Sequence, residues 1–324
     1  MLLEARIVAL WRGCVRLLRT DKERVGAVER RLRAGALVVP FLAVVLPLWV
    51  RAALWGPLTL DATTEDDIRF RCRLPDLIST YLYLFGTWEP DLAAFVRRRL
   101  RPGDTLVDVG ANVGCITALA SRSVGPRGTV VAIEPSPAIV AALRETVARN
   151  DLENVRIVAA AVSDRDDELP LFAGPSSNVG KTSTVAHRGS HREQGRVRAA
   201  PLGSLVTGEQ LASARLIKID VEGAEDRALA GMVASVDALA ANAELLVELS
   251  PQWWGDPGLR PIDVLRPFLD RGFHIYQLPN DYRAWRYLWP RDVEAPRRLR
   301  DLAVLNRRVA RLDLVLSRTD ADAL

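Results

Sequence analysis

The sequence predicts an α/β fold, a mainly parallel sheet covered by helices on both faces. Three observations predict it. From Thr105 onward, short apolar runs alternate with segments of helical character: TLVDVG, TVVAIE, VRIVAAAV, RLIKIDV, ELLVELS and FHIYQL. These runs are continuously apolar, as strands buried on both faces must be. The first of them passes through TLVDVGANVG (105–114) into CITALASRS, which reads as strand, tight turn and helix N-terminus. A glycine turn of this kind lets a ligand approach bare backbone at a helix start.

The chain has 324 residues, room for one large α/β domain with an extension or for two modest domains. The expected division is an N-terminal extension over 1–57 and a catalytic domain over 58–324, with its core at 75–280. Three cysteines (Cys14, Cys72, Cys115) with no CxxC pair argue against a disulfide scaffold or zinc site and fit a reducing, cytoplasmic compartment. The net charge of +4 is uneven: residues 1–60 hold ten Arg/Lys against four Asp/Glu, leaving the rest near −2. The core therefore gives no case for nucleic-acid binding.

Residues 1–35 read as a basic amphipathic helix, with Arg12, Arg16, Arg19 and Glu23 on one face and Leu3, Leu10, Cys14 and Leu17 opposite. Such a helix suits either a membrane surface or its own domain. Ala34–Val50 is uncharged but falls short of the roughly 20 residues that span a bilayer, and Pro40 and Pro47 would kink it. The expectation is a buried or membrane-leaning segment, with peripheral membrane contact confined to residues 1–55. Residues 58–73 alternate and predict a strand pair at the edge of the catalytic domain. GTWEP (86–90) closes one helix and opens another that runs to about Arg101. Then come strand 105–110, helix 114–123, strand 129–134, a helix from Pro137 to about Asn150, and strand 155–162. After an interruption follow strand 215–221, helix 224–232, strand 244–250, helix 261–271, strand 273–278 and a final strand 312–317. The interruption, Ser163–Ala214, is rich in Gly, Ser and Thr and predicts a long functional or disordered loop on the ligand side.

In such sheets ligands sit beyond the carboxyl ends of the strands, so the residues just after each strand matter most. Asp108, Gly110, Asn112 and Gly114 give D-x-G-x-N-x-G. Glu134, at the end of the second strand, lies about twenty residues on, where a carboxylate accepts hydrogen bonds from both hydroxyls of a ribose. The bland alternative is an acid capping the helix behind Pro135. A carboxylate at Asp108 would serve a pyrophosphate poorly and a cation well, which favours a sulfonium cofactor over a nicotinamide dinucleotide.

LVDVGANVG, AIEPSPAIVAALRETVARN, NVRIVAAAVSD, LIKIDVEGAEDRALAGM and LVELSP, in this order and spacing, closely resemble the FkbM-type S-adenosylmethionine-dependent methyltransferases. The resemblance covers about residues 75–280 and includes GTWEP. It implies a Rossmann-like, seven-stranded class I methyltransferase sheet with an N-terminal helical extension. It also implies O-methylation of a sugar, glycolipid, polyketide or other secondary metabolite. By the resemblance, Asp108, Gly110, Asn112 and Gly114 bind the methionine end, Glu134 the ribose, and Ala161, Val162 and Ser163 flank the adenine; Glu89 of GTWEP joins the cofactor residues. The family's LDSL appears here within PLGSL (201–205) without its aspartate.

IKIDVEGAE carries the reactive side. Lys218 and Asp220 alternate along one strand and point the same way; Glu222 follows and Glu225 begins the next helix. A hydroxyl is a poor nucleophile until its proton leaves, so a general base helps. Asp220 is the first candidate for base or substrate anchor, with Glu222, Glu248 and the partner Lys218 beside it; a structural ion-pair network is the alternative. Three acids also permit a divalent metal, although no spaced ligand set demands one. His187 and His191 read as loop histidines, and Trp253, Trp254, Trp285 and Trp289 as packing or as ring-stacking platforms. The partner is then a small-molecule or glycan acceptor. The rival readings are a nicotinamide-dependent oxidoreductase and a nucleoside-binding module without catalysis.

Overall fold

Strands form where apolar side chains are buried on both faces, and β-rich runs of Val, Ile and Leu set the central layer. The computed structural model describes residues 46–48, 50–52, 54–175, 177–186, 193–283, 286–287, 293–307 and 309–324. The amphipathic segment 1–35 with Arg12, Arg16 and Arg19, most of the uncharged stretch, His187, His191, Trp285 and Trp289 lie outside the described residues. Among the described residues no helix is long and apolar enough to cross a membrane.

The chain divides into two units. The first holds the strand pair β1 (Leu58–Thr63) and β2 (Arg69–Leu74), antiparallel and closed as a two-stranded sheet of its own. Helix α1 (Leu77–Phe85) follows; Asp76 caps it by accepting the Ser79 N–H at 2.9 Å, and Gly86 ends it in the left-handed conformation. Tyr81, Phe85, Trp88 and Tyr287 stack edge to face or tilted, with centroids 4.5 to 6.3 Å apart. Asp91 forms a buried pair with Arg286. Helix α2 (Pro90–Arg99), which belongs to the second unit from Leu92 on, opens as GTWEP predicts, with Pro90 at its first position, Asp91 in its first turn and three arginines in its last.

The second unit is the predicted α/β core. In chain order it runs β3 (Thr105–Val109), α3 (Cys115–Val124), β4 (Thr129–Ile133), α4 (Pro137–Arg149), β5 (Val155–Val158), β6 (Ala161–Val162), β7 (Asp167–Phe172), β8 (Glu193–Ala200), α5 (Leu202–Leu205) and α6 (Gly208–Ala212). It continues with β9 (Ala214–Ile219), α7 (Glu225–Met232), β10 (Glu244–Leu249), α8 (Pro261–Leu269), β11 (His274–Gln277), β12 (Arg297–Arg298) and β13 (Leu312–Ser317). The main sheet has the order β12-β11-β13-β10-β9-β3-β4-β5. β5, β4, β3, β9 and β10 are parallel; β13 enters antiparallel between β10 and β11. The seven expected strands are all present, and the two-residue β12 adds an eighth at the edge.

Successive residues of β3 serve opposite faces. Val107 and Val109 join Val131, Ile133, Ile217 and Val247 in the large core, while Ala132 packs with Leu143 of α4 on the other face. The chain leaves β3 toward β4 and β5, then returns to place β9 on β3's other side. That reversal opens a crevice at the carboxyl ends of β3 and β9.

Two expectations need correction. VRIVAAAV is not one strand: 155–158 join the main sheet, and Ala161–Val162 pair instead with β8. The interruption is not one long loop either. Its β7 and β8 form an antiparallel pair that, with β6, makes a three-stranded sheet, and two short helices follow.

Candidate active site

The turn between β3 and α3 is strapped to the end of β4: the Gly110 and Ala111 N–H groups both donate to the Ile133 carbonyl, at 2.9 and 3.0 Å. Gly110 has φ +81°, and a Cβ there would lie 1.7 Å from the Asp220 carbonyl oxygen, so no other residue fits where β3 and β9 end side by side. Gly114, φ +91°, is the N-cap of α3, and a Cβ would press on Leu143 at 2.7 Å. Asn112 sits at φ +51°, a conformation asparagine tolerates, and its side-chain oxygen accepts the Val113 N–H at 2.8 Å.

Glu134 lies just past β4 and is 5% exposed. One carboxyl oxygen accepts the Asn112 N–H (3.1 Å) and the other the Ser136 N–H (2.9 Å). Burial pushes its pKa up to about 7 against the pull of those two N–H groups. Each oxygen keeps a lone pair for a hydroxyl donor.

On the neighbouring ladder Asp108 of β3 stands opposite Lys218 of β9. The Lys218 ammonium lies 3.6 Å from Asp108 and 3.0 Å from Asp220, and donates at 3.4 Å to the Gly110 carbonyl. Asp108 is wholly buried and also accepts the Thr117 hydroxyl at 2.6 Å. Lys218 is thus shared between Asp108 and Asp220, and Asp108 faces it from within the protein rather than from the mouth of the cleft. Glu222, at φ +50°, is half-buried; burial first, then the Asp220 carboxylate, pushes its pKa up to about 7. Glu225 is a structural group: it accepts N–H donors from Gly223 (2.6 Å), Ser250 (3.2 Å) and the Trp254 indole (2.9 Å). Trp254 is therefore a core residue, 3% exposed. Glu248 is buried and paired with Arg311 at 3.1 Å.

A cleft open to solvent lies at this edge of the sheet. Of the residues singled out by the sequence, Gly110, Asn112, Glu134, Ala161, Val162, Asp220 and Glu222 line it. Asp108, Gly114, Ser163 and Lys218 stand behind the lining: Ser163, for example, is 1% exposed and donates its backbone N–H to Ala200 at 3.0 Å. Glu89 belongs to the first unit, buried at φ +45°, with its N–H donating to the Tyr287 hydroxyl at 3.1 Å. Sequence reasoning missed two groups of lining residues. Ile133, Pro135, Ile139 and Ala160 form an apolar wall beside Glu134. Gly180, Thr182, Ser183 and Thr184 come from the segment read as a loop, where only the prediction that it lies on the ligand side hinted at them. Among the described residues no three His, Cys, Asp or Glu side chains converge as a metal ion would require.

Residues 108–277, just over half of the chain, match the family model of the methyltransferase FkbM domain. The arsenite methyltransferase of Halobacterium salinarum is 41% identical over 95 residues, covering 29% of this chain and 23% of its own. The 31-O-demethyl-FK506 methyltransferase FkbM of Streptomyces tacrolimicus is 31% identical over 160 residues, covering 41% and 61%. The chain thus spans less than two thirds of the length of either relative. The solved FkbM methyltransferase of Methylobacillus flagellatus KT aligns with a TM-score of 0.32 and 15% identity, over 48% of this chain and 39% of that one.

Proposed function

We propose a reaction from a plain premise: the chain belongs to the FkbM family of S-adenosylmethionine-dependent methyltransferases. In our reading it transfers a methyl group to a hydroxyl oxygen of a small molecule or glycan. The donor set of the cleft fits the cofactor. Glu134 offers two acceptor oxygens to the ribose hydroxyls, the wall of Ile133, Pro135, Ile139, Ala160, Ala161 and Val162 suits an adenine ring, and the backbone at Gly110 and Asn112 serves the aminoacyl end. When bound, the sulfonium supplies an activated methyl group and a neutral sulfide leaving group.

The protein's own task is to hold the acceptor oxygen in line and to take its proton. The order of the two acid candidates changes from that expected. Asp220 is ion-paired to Lys218 at 3.0 Å and is assigned the role of anchor, orienting the acceptor. Glu222, raised to about 7, is matched to neutral pH and is assigned the role of base. Asp108 and Lys218 position the turn and Asp220 from behind. The oxygen acceptor is supported by the relative whose name specifies a 31-O position.

The observation that carries this reading is the meeting of Glu134, Asp220 and Glu222 in one cleft at the carboxyl edge of the sheet. Calorimetry with S-adenosylmethionine tests it. Binding by the wild-type protein and at least tenfold weaker binding by Glu134→Ala are expected; no binding, or equal binding by both, would overturn the assignment.

A further inference from the structure

Glu222 holds a backbone conformation that its residue type does not favour. Its φ is +50°, and Gly223 follows at +95°. Glycine takes a positive φ freely, and asparagine tolerates one by bonding locally; glutamate is strained there by its Cβ. Strain of this kind persists only where the surroundings hold it. Here both polar groups of the Glu222–Gly223 peptide are held by side chains. Its carbonyl accepts the Ser183 hydroxyl at 2.7 Å, and its N–H donates to the Glu225 carboxylate at 2.6 Å.

The two holding groups are themselves fixed. Glu225, at the start of α7, is wholly enclosed and also accepts the Ser250 N–H and the Trp254 indole. Ser183 is 3% exposed and exchanges two backbone hydrogen bonds with Phe172 of β7, at 2.8 and 3.0 Å. Its hydroxyl oxygen accepts the Val185 N–H at 3.0 Å, so its single proton is left to serve Glu222. One side of the peptide is thus tied to the helix after β9, and the other to the three-stranded sheet.

We propose that Ser183 is a positioning residue: with Glu225 it clamps the Glu222–Gly223 peptide in the left-handed turn that keeps Glu222 at the wall of the cleft. The segment 163–214 then braces the reactive turn as well as lining the cleft. This rests on the reading of Glu222 as the base and gives that base a fixed place. Without the Ser183 hydroxyl, the turn relaxes and the Glu222 carboxyl moves toward water. Burial first, then Asp220 and Glu225, hold that carboxyl up at about 7 against the pull of Arg311 and Lys181, so its pKa falls toward the ordinary carboxylate value once it is released.

Glu222–Gly223 is the only Glu-Gly step in the sequence. Labelling the full chain with 13C at glutamate carbonyls and 15N at glycines therefore isolates this one peptide by NMR. A second sample, labelled at glutamate Cδ, follows the Glu222 carboxyl through a pH titration, its signal identified by its loss in Glu222→Gln. In Ser183→Ala the Gly223 amide is expected to exchange with solvent about tenfold faster, and the Glu222 pKa to fall by about one unit or more. Ser183→Thr keeps the hydroxyl and should return both to the wild-type values. A lower Tm in Ser183→Ala with the Glu222 titration unmoved would make Ser183 a merely structural residue and overturn the proposal. Equal shifts in the alanine and threonine variants would overturn it too. A Glu222 that titrates at the ordinary carboxylate value in the wild-type protein would instead overturn its role as base, and the Gly223 exchange rate would then decide the clamp by itself.

Discussion

Lowering the pH should loosen the cofactor, and the reason is the single carboxyl at Glu134. Burial pushes it up to about 7, and two backbone N–H groups hold its oxygens in place. Only the ionised form offers acceptors on both oxygens to a pair of ribose hydroxyls; protonation turns one of them into a donor. The sign follows directly. A raised carboxyl ionises as pH climbs through 7, so affinity rises with pH and levels off above 8. About 10% of such a group is ionised at pH 6 and about 90% at pH 8, so Kd should fall about ninefold between them, or about 1.3 kcal/mol. Calorimetry of S-adenosylmethionine binding at pH 6, 7 and 8, repeated in buffers of different ionisation enthalpy, measures both the affinity and the proton released on binding. Glu134→Gln should bind more weakly and show a flat profile. A flat profile in the wild-type protein, with no proton release near pH 7, would refute the assignment of Glu134 to the ribose.

Three other perturbations test the scaffold. Glu225 is buried and raised to about 7, so the folded state holds its proton more tightly than the unfolded chain; stability from this group is full below about 4.5, falls as pH rises to 7, and the loss reaches about 3 kcal/mol. Glu225→Gln should flatten that part of the stability–pH curve, measured by urea unfolding at pH 5 and 8, and an unchanged slope would contradict it. Lys218→Met leaves Asp108 charged and buried without its cation, a loss of about 3–5 kcal/mol and a Tm lower by about 10 °C; adding Asp108→Asn should restore much of it, and no recovery would show that the pair does not stabilise the fold. Gly110→Ala drives a Cβ to within 1.7 Å of the Asp220 carbonyl at a positive φ, and should cost about 3 kcal/mol or more in stability by the same unfolding assay.

Local signals carried much of this structure, and long-range pairing accounts for what they did not carry. Continuous apolar runs bounded by glycine, proline and acids mark β3, β4, β9 and β10 because burial on both faces leaves that signature in sequence. The Lys218–Asp220 pair was legible because two residues in a strand share a face. Glu134 was legible from its position at a strand end. The break after Val158 was not, since an all-apolar run gives no sign of where the chain leaves one sheet for another. β7 and β8 pair across more than twenty residues, and β8 opens with Glu193, Gln194, Gly195 and Arg196, all exposed and without a core pattern. Thr182 and Thr184 flank Ser183, which is bridged to Phe172 of β7 from eleven residues away. The depth of Asp108 was equally hidden: a strand acid before a glycine turn reads as a mouth residue, and only the facing ladder shows that Lys218 and Thr117 enclose it.

In the proposed reaction one cleft holds the cofactor by Glu134 and presents its sulfur to Asp220 and Glu222. A crystal structure with S-adenosylhomocysteine measures this directly. Both ribose hydroxyls are expected on the Glu134 carboxylate, the adenine against Ile133, Pro135 and Ile139, and the sulfur facing Asp220 and Glu222. A nucleoside bound away from Glu134, or a sulfur turned away from the two acids, would contradict it.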